Sequence, residues 1–266
     1  MKRILVTGAR GMLGFMLTAE LGDLCLGVDL PEADITLASS ILPFIKKYNP
    51  DVIVNTAAIT DVDSCERNPR LADAVHNRGV RILSETGVRL ITISTDQVFY
   101  DGRGIPLTEK SPVMPVNEYS ASKLKGEKAA LENPANCVVR TSWLNGSGGM
   151  ISRMAKRLDN GGTVTAVADQ TSCITLTEHL AQALLLMVFD ESRRGLYHCV
   201  NPGPVTPFYL ACLLRRETGR GRVVPVEWAD LSLPAKRPVW SALESEREIT
   251  MPPFEEAMKI CMKKIL

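Results

Sequence analysis

The sequence predicts an α/β fold in which a doubly wound parallel sheet carries helices on both faces. Short apolar runs alternate with amphipathic stretches through roughly the first 145 residues, the rhythm of strands joined through helices to parallel neighbours. Three glycines fall at the first strand–helix junction. From Asn201 onward, prolines and short elements ("NPGPVTPF", "SLPAKRPVW", "TMPPF") replace that rhythm and predict a small, irregular C-terminal lobe.

"RILVTG" (3–8) reads as a buried strand and "MLGFMLTAELG" as the helix after it. "LCLGVDL" (24–30) is the second strand. "SSILPFIKKYNP" is a helix stopped by Pro50, with Pro43 near its start or kinking it. "DVIVNTAA" (51–58) is the third strand, 69–87 a long helix and "RLITISTD" (89–96) the fourth strand. After a loop rich in Gly and Pro come the helix carrying "NEYSASKLKGEK" (117–128) and the strand "CVVRTSWL" (137–144). Further on, "GGMISRMAKRLDNGG" is a helix, "TVTAVAD" a strand, "LTEHLAQALLLMVFD" a helix and "GLYHCVN" a strand. These elements divide the chain into a parallel-sheet domain over 1–145, to which 163–200 returns, and a second lobe from 146–162 and 201–266.

Composition excludes several classes. A formal net charge of +1 marks neither a nucleic-acid nor a membrane-surface protein. The longest apolar run, 180–189, is too short to span a bilayer and contains Gln182. The N-terminus turns at once into Gly and Arg, unlike a signal peptide. Seven cysteines form no CxxC and three histidines are scattered, so no metal is predicted and the thiols read as reduced, in a cytoplasmic protein.

"VTGARGMLG" sets Gly8, Gly11 and Gly14 three apart. A tight turn, the approach of a pyrophosphate to the backbone and close helix–strand packing each call for a glycine there, and the helix N-terminus faces the anion. Glycines at such a turn can also be purely structural. Asp29, at the end of the second strand and roughly 20 residues on, stands where an acid binds ribose hydroxyls. That acid repels a 2′-phosphate, whereas Arg10 would attract one, so NADH and NADPH both stay open.

Tyr119 and Lys123 are one helical turn apart. A free tyrosine has a pKa near 10, and a lysine one turn away lowers it towards useful acid–base work. Thr95, in "ISTD" at a strand end, adds a hydroxyl that can hold a substrate carbonyl beside the phenol, and strand C-termini form the ligand crevice of such a sheet. The spacing alone also occurs by chance in many helices.

Together these pieces resemble an extended short-chain dehydrogenase/reductase, and specifically the dTDP-4-dehydrorhamnose reductase family of sugar-nucleotide ketoreductases. The matching stretches are "VTGARGMLG", "ADIT" (33–36), "PDVIVNTAAITDVDSCE" (50–66), "ISTDQVFYDG" (93–102), "YSASKLKGE" (119–127), "RTSWLNG" (140–146), "DQTSCITLTEHLAQAL" (169–184), "GLYHCVN" (195–201) and "RPVWSALE" (237–244). The resemblance implies a Rossmann sheet, NADPH or NADH as cofactor, and a nucleotide-linked 4-keto-6-deoxysugar as substrate. It implies that Tyr119 is the general acid, Lys123 its tuner and cofactor anchor, and Thr95 the third catalytic hydroxyl. Gly8, Gly11 and Gly14, with Met12 and Leu13 between them, would cradle the pyrophosphate. Arg10 and Asp29 would stand near the adenosine ribose, Asp34 and Ile35 at the adenine, and Ala57 and Ala58 along the cofactor path. Asp96, Trp143 and Arg237 would meet the sugar nucleotide, and a homodimer is compatible with the resemblance.

Four departures bear on the substrate and the proton supply. His76 occupies the usual place of a relay asparagine, Gln97 that of a tyrosine and Trp240 that of an asparagine, and "DQTSCITLT" replaces a Gly-x-Pro-Thr pattern. Two alternatives therefore accompany the reductase reading. One is an epimerase or dehydratase of the same superfamily, against which "STDQ" supplies a single acid, Asp96. The other is a non-catalytic NADP-binding regulatory subunit on this fold.

Overall fold

A computed structural model describes residues 2–100, 104–249 and 251–265. Asp101 and Gly102, which end the "ISTDQVFYDG" stretch, lie outside the described residues. The chain runs β1 (Ile4–Thr7), α1 (Met12–Leu21), β2 (Cys25–Val28), α2 (Ala38–Tyr48), β3 (Val52–Asn55) and α3 (Val62–Arg67). Next come α4 (Pro69–Asp73) and α5 (Gly79–Ser84), joined by a π-helical turn over Ala74–Arg78, so the expected long helix is present but interrupted. Then follow β4 (Arg89–Thr95), α6 (Glu118–Leu131), β5 (Cys137–Thr141), β6 (Leu144–Asn145) and α7 (Met150–Asp159). The remainder is β7 (Thr163–Val167), β8 (Ser172–Leu176), α8 (Thr177–Phe189), β9 (Gly195–His198), β10 (Asn201–Val205), α9 (Pro207–Thr218), β11 (Arg222–Val226) and α10 (Phe254–Ile265).

Six strands form the central sheet in the order β2-β1-β3-β4-β5-β9, all parallel. Its inner strands β1, β3 and β5 are buried on both faces, and the pleat sorts their side chains. Ile4, Val6, Val52, Val54, Ile91, Cys137 and Val139 pack under α1 and α8. Leu5, Ile53, Leu90 and Val138, one residue out of step, pack under α2, α5 and α6. The order reverses between β1 and β3, the point where a doubly wound sheet opens a crevice at its strand C-termini.

The second region corrects two expectations. Of 163–200, α8 and β9 do return to the central sheet, but β7 pairs in parallel with β11, and β8 pairs with β10 and β6. Val164, Ala166, Ile174 and Leu176 bury their side chains with Leu210 and Leu214 of α9 and with Phe254 and Met258 of α10. The lobe is also less irregular than its prolines suggest, since α9 and α10 are twelve-residue helices. Pro207 stands at the first position of α9, where its missing N–H costs nothing, with Thr206 as cap. No helix among the described residues is long and apolar enough to cross a membrane.

Candidate active site

A cavity of about 420 Å³ opens at the C-terminal ends of β1, β3, β4 and β5. Gly11, Met12, Leu13 and Gly14 form one wall, Thr95, Asp96, Tyr119 and Lys123 another, and Trp143 closes a side.

The glycine wall is dictated by space. Gly8 has φ +72°, and a Cβ there would lie 2.6 Å from the Ala57 nitrogen; at Gly14 it would lie 2.1 Å from the Gly8 carbonyl oxygen. Gly11 caps α1 without a side chain, so the first-turn N–H groups of the helix face the cavity bare. This cradle fits the pyrophosphate of a dinucleotide: backbone donors, a helix N-terminus and no side chain in the way. At the end of β2, Asp29 accepts from the backbone N–H of Arg10 (2.7 Å) and of Leu30 (2.8 Å). The Arg10 guanidinium is paired with Glu32 at 2.8 Å. Asp34 accepts from Thr36, and Ile35 is buried against Gly79, so Ile35 offers little side-chain surface to a ligand.

Asn117 and Ser120 start α6 with a reciprocal capping box, which fixes Tyr119 in its first turn and Lys123 one turn on. Tyr119 is buried against Val62, Cys65 and Ala235. Burial pushes its phenol above the usual tyrosine range, opposed by the Thr95 hydroxyl. The expected lowering by Lys123 is absent: the Lys123 ammonium donates to the Ile93 carbonyl at 2.6 Å. Burial in turn lowers Lys123 to about 8, against the pull of Glu127.

His76 braces the helix. Its Nε2 accepts from the Ile59 N–H at 3.0 Å, so Nδ1 carries the proton and donates to Ser122 Oγ at 2.9 Å. Ser122 donates in turn to the Tyr119 carbonyl at 2.8 Å, and the two rings meet edge to face. Burial holds His76 down to about 3, so it is neutral. The π-helical turn presses the His76 carbonyl onto α6, where a Cβ on Gly126 would lie 1.9 Å from its oxygen.

Asp96 lies beneath the cavity, buried, with its Oδ1 accepting from Thr95 (3.1 Å) and its Oδ2 in contact with Ser172 Oγ (2.6 Å) and Ser241 Oγ (2.5 Å). These serines arrive from β8 and from the segment after Trp240. Arg237 sits apart from the cavity wall, paired with Asp63 at 3.1 Å and stacked over Trp228. Ala58 lines the cavity, while Ala57 backs the glycine turn.

Sequence reasoning missed the layer behind the wall. Glu127, one turn beyond Lys123, forms a buried two-point pair with Arg140 (2.9 and 2.7 Å) and accepts from Ser94. A Tyr–Lys–Glu repeat every four residues was available as a signal that one helix face points inward. Ser142, Ser172 and Ser241 had no such signal, because the fold alone brings them together.

A doubly wound sheet with this cradle and a buried Tyr–Lys pair at its strand ends defines a dinucleotide-binding oxidoreductase of the short-chain type. The comparisons narrow the class. The family model described as "RmlD substrate binding domain" matches residues 1–266. A dTDP-4-dehydrorhamnose reductase of Streptomyces griseus is 36% identical over 262 residues, covering 92% of this chain and 86% of that one. A protein of Streptomyces antibioticus described as a probable dTDP-4,6-dihydroxy-2-methyloxan-3-one 4-ketoreductase is 34% identical over 261 residues, covering 92% and 88%. The crystal structure of dTDP-4-dehydrorhamnose reductase from Bacillus anthracis in complex with NADP superposes with a TM-score of 0.92 at 28% identity, covering 99% of this chain and all of that one. The chain belongs to the RmlD substrate-binding-domain family.

Proposed function

We propose that this protein reduces the keto group of a nucleotide-linked 4-keto-6-deoxysugar with NADPH or NADH, the reaction type of the dTDP-4-dehydrorhamnose reductases, in deoxysugar or polysaccharide synthesis. The observation that carries this reading is a buried phenol, held protonated beside Thr95 in a cavity walled by the glycine cradle. A reduction needs a proton donor where the carbonyl oxygen gains charge, and a raised tyrosine keeps its proton until that moment.

Gly8, Gly11 and Gly14, with Met12 and Leu13, would hold the pyrophosphate, with Asp29 and Arg10 at the ribose end. The bound cofactor supplies a hydride to the keto carbon. Thr95 orients the keto oxygen, Tyr119 donates its proton to it, and the Lys123 ammonium, seated on the Ile93 carbonyl, would anchor the cofactor beside them. Asp96 and Trp143 border the sugar. Residues 146–176 and 201–266 then form the lobe that receives the sugar nucleotide. The neutral His76 supports a bracing role rather than a relay. Free, buried Cys65, Cys173 and Cys199 support a reducing, cytoplasmic setting, and a homodimer belongs to the same proposal.

The test mixes the purified protein with NADH or NADPH and a panel of nucleotide 4-keto sugars and follows nicotinamide absorbance. Oxidation lost in Tyr119→Phe is the expected result; cofactor binding without turnover on any sugar would overturn it.

A further inference from the structure

The serine cluster under the cavity has one hydrogen too few for an ionised carboxylate. Four oxygen–oxygen contacts there are 2.7 Å or shorter: Ser241 Oγ to Asp96 Oδ2 (2.5 Å), Ser172 Oγ to Asp96 Oδ2 (2.6 Å), Ser142 Oγ to the Cys173 carbonyl (2.6 Å) and Ser142 Oγ to Ser172 Oγ (2.7 Å). Each such contact needs a proton between its oxygens, since two lone pairs at that distance repel. The three serines bring three protons, one per hydroxyl. The fourth has to come from Asp96, because the remaining partner, the Cys173 carbonyl, has none.

We propose that Asp96 is a neutral carboxylic acid at physiological pH and serves as a positioning residue. Its proton, on Oδ2, goes to Ser172; Ser172 then donates to Ser142, and Ser142 to the Cys173 carbonyl. Ser241 donates to Oδ2. Thr95 donates to Oδ1, which is now the carbonyl oxygen of an acid rather than a carboxylate and releases the threonine hydroxyl more easily to a ligand. All four contacts are filled, and so is the Thr95 bond at 3.1 Å.

The surroundings agree. Asp96, Ser172 and Ser241 are almost entirely buried. Among the described residues, Tyr119 of α6 and Cys173 of β8 face this site without a positive charge, and the Lys123 ammonium on the same cavity wall is engaged by the Ile93 carbonyl at 2.6 Å. Burial pushes the Asp96 carboxyl above the carboxylate range despite its hydroxyl donors. In terms of the reduction proposed above, a carboxylate at the cavity floor would oppose the negative charge that develops on the keto oxygen, and a neutral acid does not. Asp96 is then a hydrogen-bonding floor for the sugar, and Lys123 provides the charge.

Two measurements test the proton itself and need no turnover, so they can fail while the reductase reading stands, or succeed while it falls. Infrared spectra of protein labelled with carboxyl-¹³C aspartate at neutral pH should contain an isotope-shifted carboxylic-acid C=O band. That band should be absent from Asp96→Asn and moved in Ser172→Ala, which removes the acceptor of the proton. Carboxylate bands alone in the wild type would overturn the proposal.

The second measurement is linkage. A group that keeps its proton in the folded state and loses it when unfolded destabilises the fold as pH rises above the unfolded value of about 3.9. The ratio of the Asp96→Asn folding constant to that of the wild type should therefore climb about tenfold per pH unit from about pH 5 until the folded carboxyl ionises. A ratio flat across neutral pH would overturn the proposal. Should Asp96→Asn not fold, the infrared comparison of wild type with Ser172→Ala decides alone.

Discussion

Ser94 and Thr95 are neighbours on β4, and each donates a hydroxyl hydrogen bond to a buried carboxyl group. Ser94 reaches Glu127, which Arg140 grips with two further bonds. Thr95 reaches Asp96, whose other close partners are serine hydroxyls. Both carboxyls are removed from water. One is matched by a guanidinium that lies over the Phe99 ring and faces His198; the other is matched by groups with no charge at all. In a dry interior the partners decide whether an acid ionises: a cation makes the anion tolerable, whereas hydroxyls alone favour the neutral form.

The strongest way to break this comparison is to remove the cation. Arg140→Met leaves Glu127 without its guanidinium in a site where both side chains are at most 4% exposed. Such a loss costs about 3–5 kcal/mol, read from the urea midpoint at constant m-value. A loss under about 1 kcal/mol would mean that the buried pair with Arg140 is not what secures this layer.

Steric damage to the same helix should rank next. A methyl on Gly126 would drive into the His76 carbonyl, so Gly126→Ala should cost on the order of 1–3 kcal/mol and loosen the seat of Lys123. Glycine here is required by the close approach of two backbones. An unchanged melting temperature would show that the π-helical turn can yield.

Lys123 adds a pH dependence with opposite signs for stability and activity. Its folded value is lowered to about 8, while an unfolded lysine titrates near 10.4. The unfolded state therefore holds the extra proton between these values, and stability gained from this group rises with pH across that window. The proposed role needs the charged ammonium, so kcat/KM should fall about tenfold per pH unit above about 8. Paired pH profiles of activity and thermal unfolding check both signs; an activity limb that tracks loss of folding would sink the assignment.

These regions also differ in how far the sequence exposes them. The sheet, the glycine turn and the Tyr119–Lys123 pair obey local rules: apolar runs, a turn that excludes Cβ atoms, a helical repeat and a cap at Asn117. Strand pairing in the lobe does not, and β7 joined β11 because its apolar face met α9 rather than the central sheet. Likewise the pairing of Arg237 with Asp63, 174 positions away, and its stacking over Trp228 follow no local rule. The Asp96 cluster draws on residues 76 and 145 positions away along the chain, which no spacing rule connects.

The smallest effect is the most discriminating for that cluster. Ser241→Ala deletes one hydroxyl donor to Asp96 and leaves a buried carboxyl with Ser172 and Thr95 as its remaining close partners. A hydrogen bond to a neutral acceptor is worth about 1 kcal/mol net, whereas one to an ionised group is worth about 1.5–3. With Asp96 neutral, the variant should lose about 1 kcal/mol, and the loss should stay constant from about pH 5 to 7. With Asp96 ionised, the loss would be two- to threefold larger and would shrink on acidification, as the carboxylate took up a proton and its need for donors fell. Because Ser241 follows Trp240, which bridges to Thr171, the same substitution also measures how firmly that segment is tied to the end of β4. Opening of the segment would appear as faster amide exchange around Ser241 with β4 unchanged.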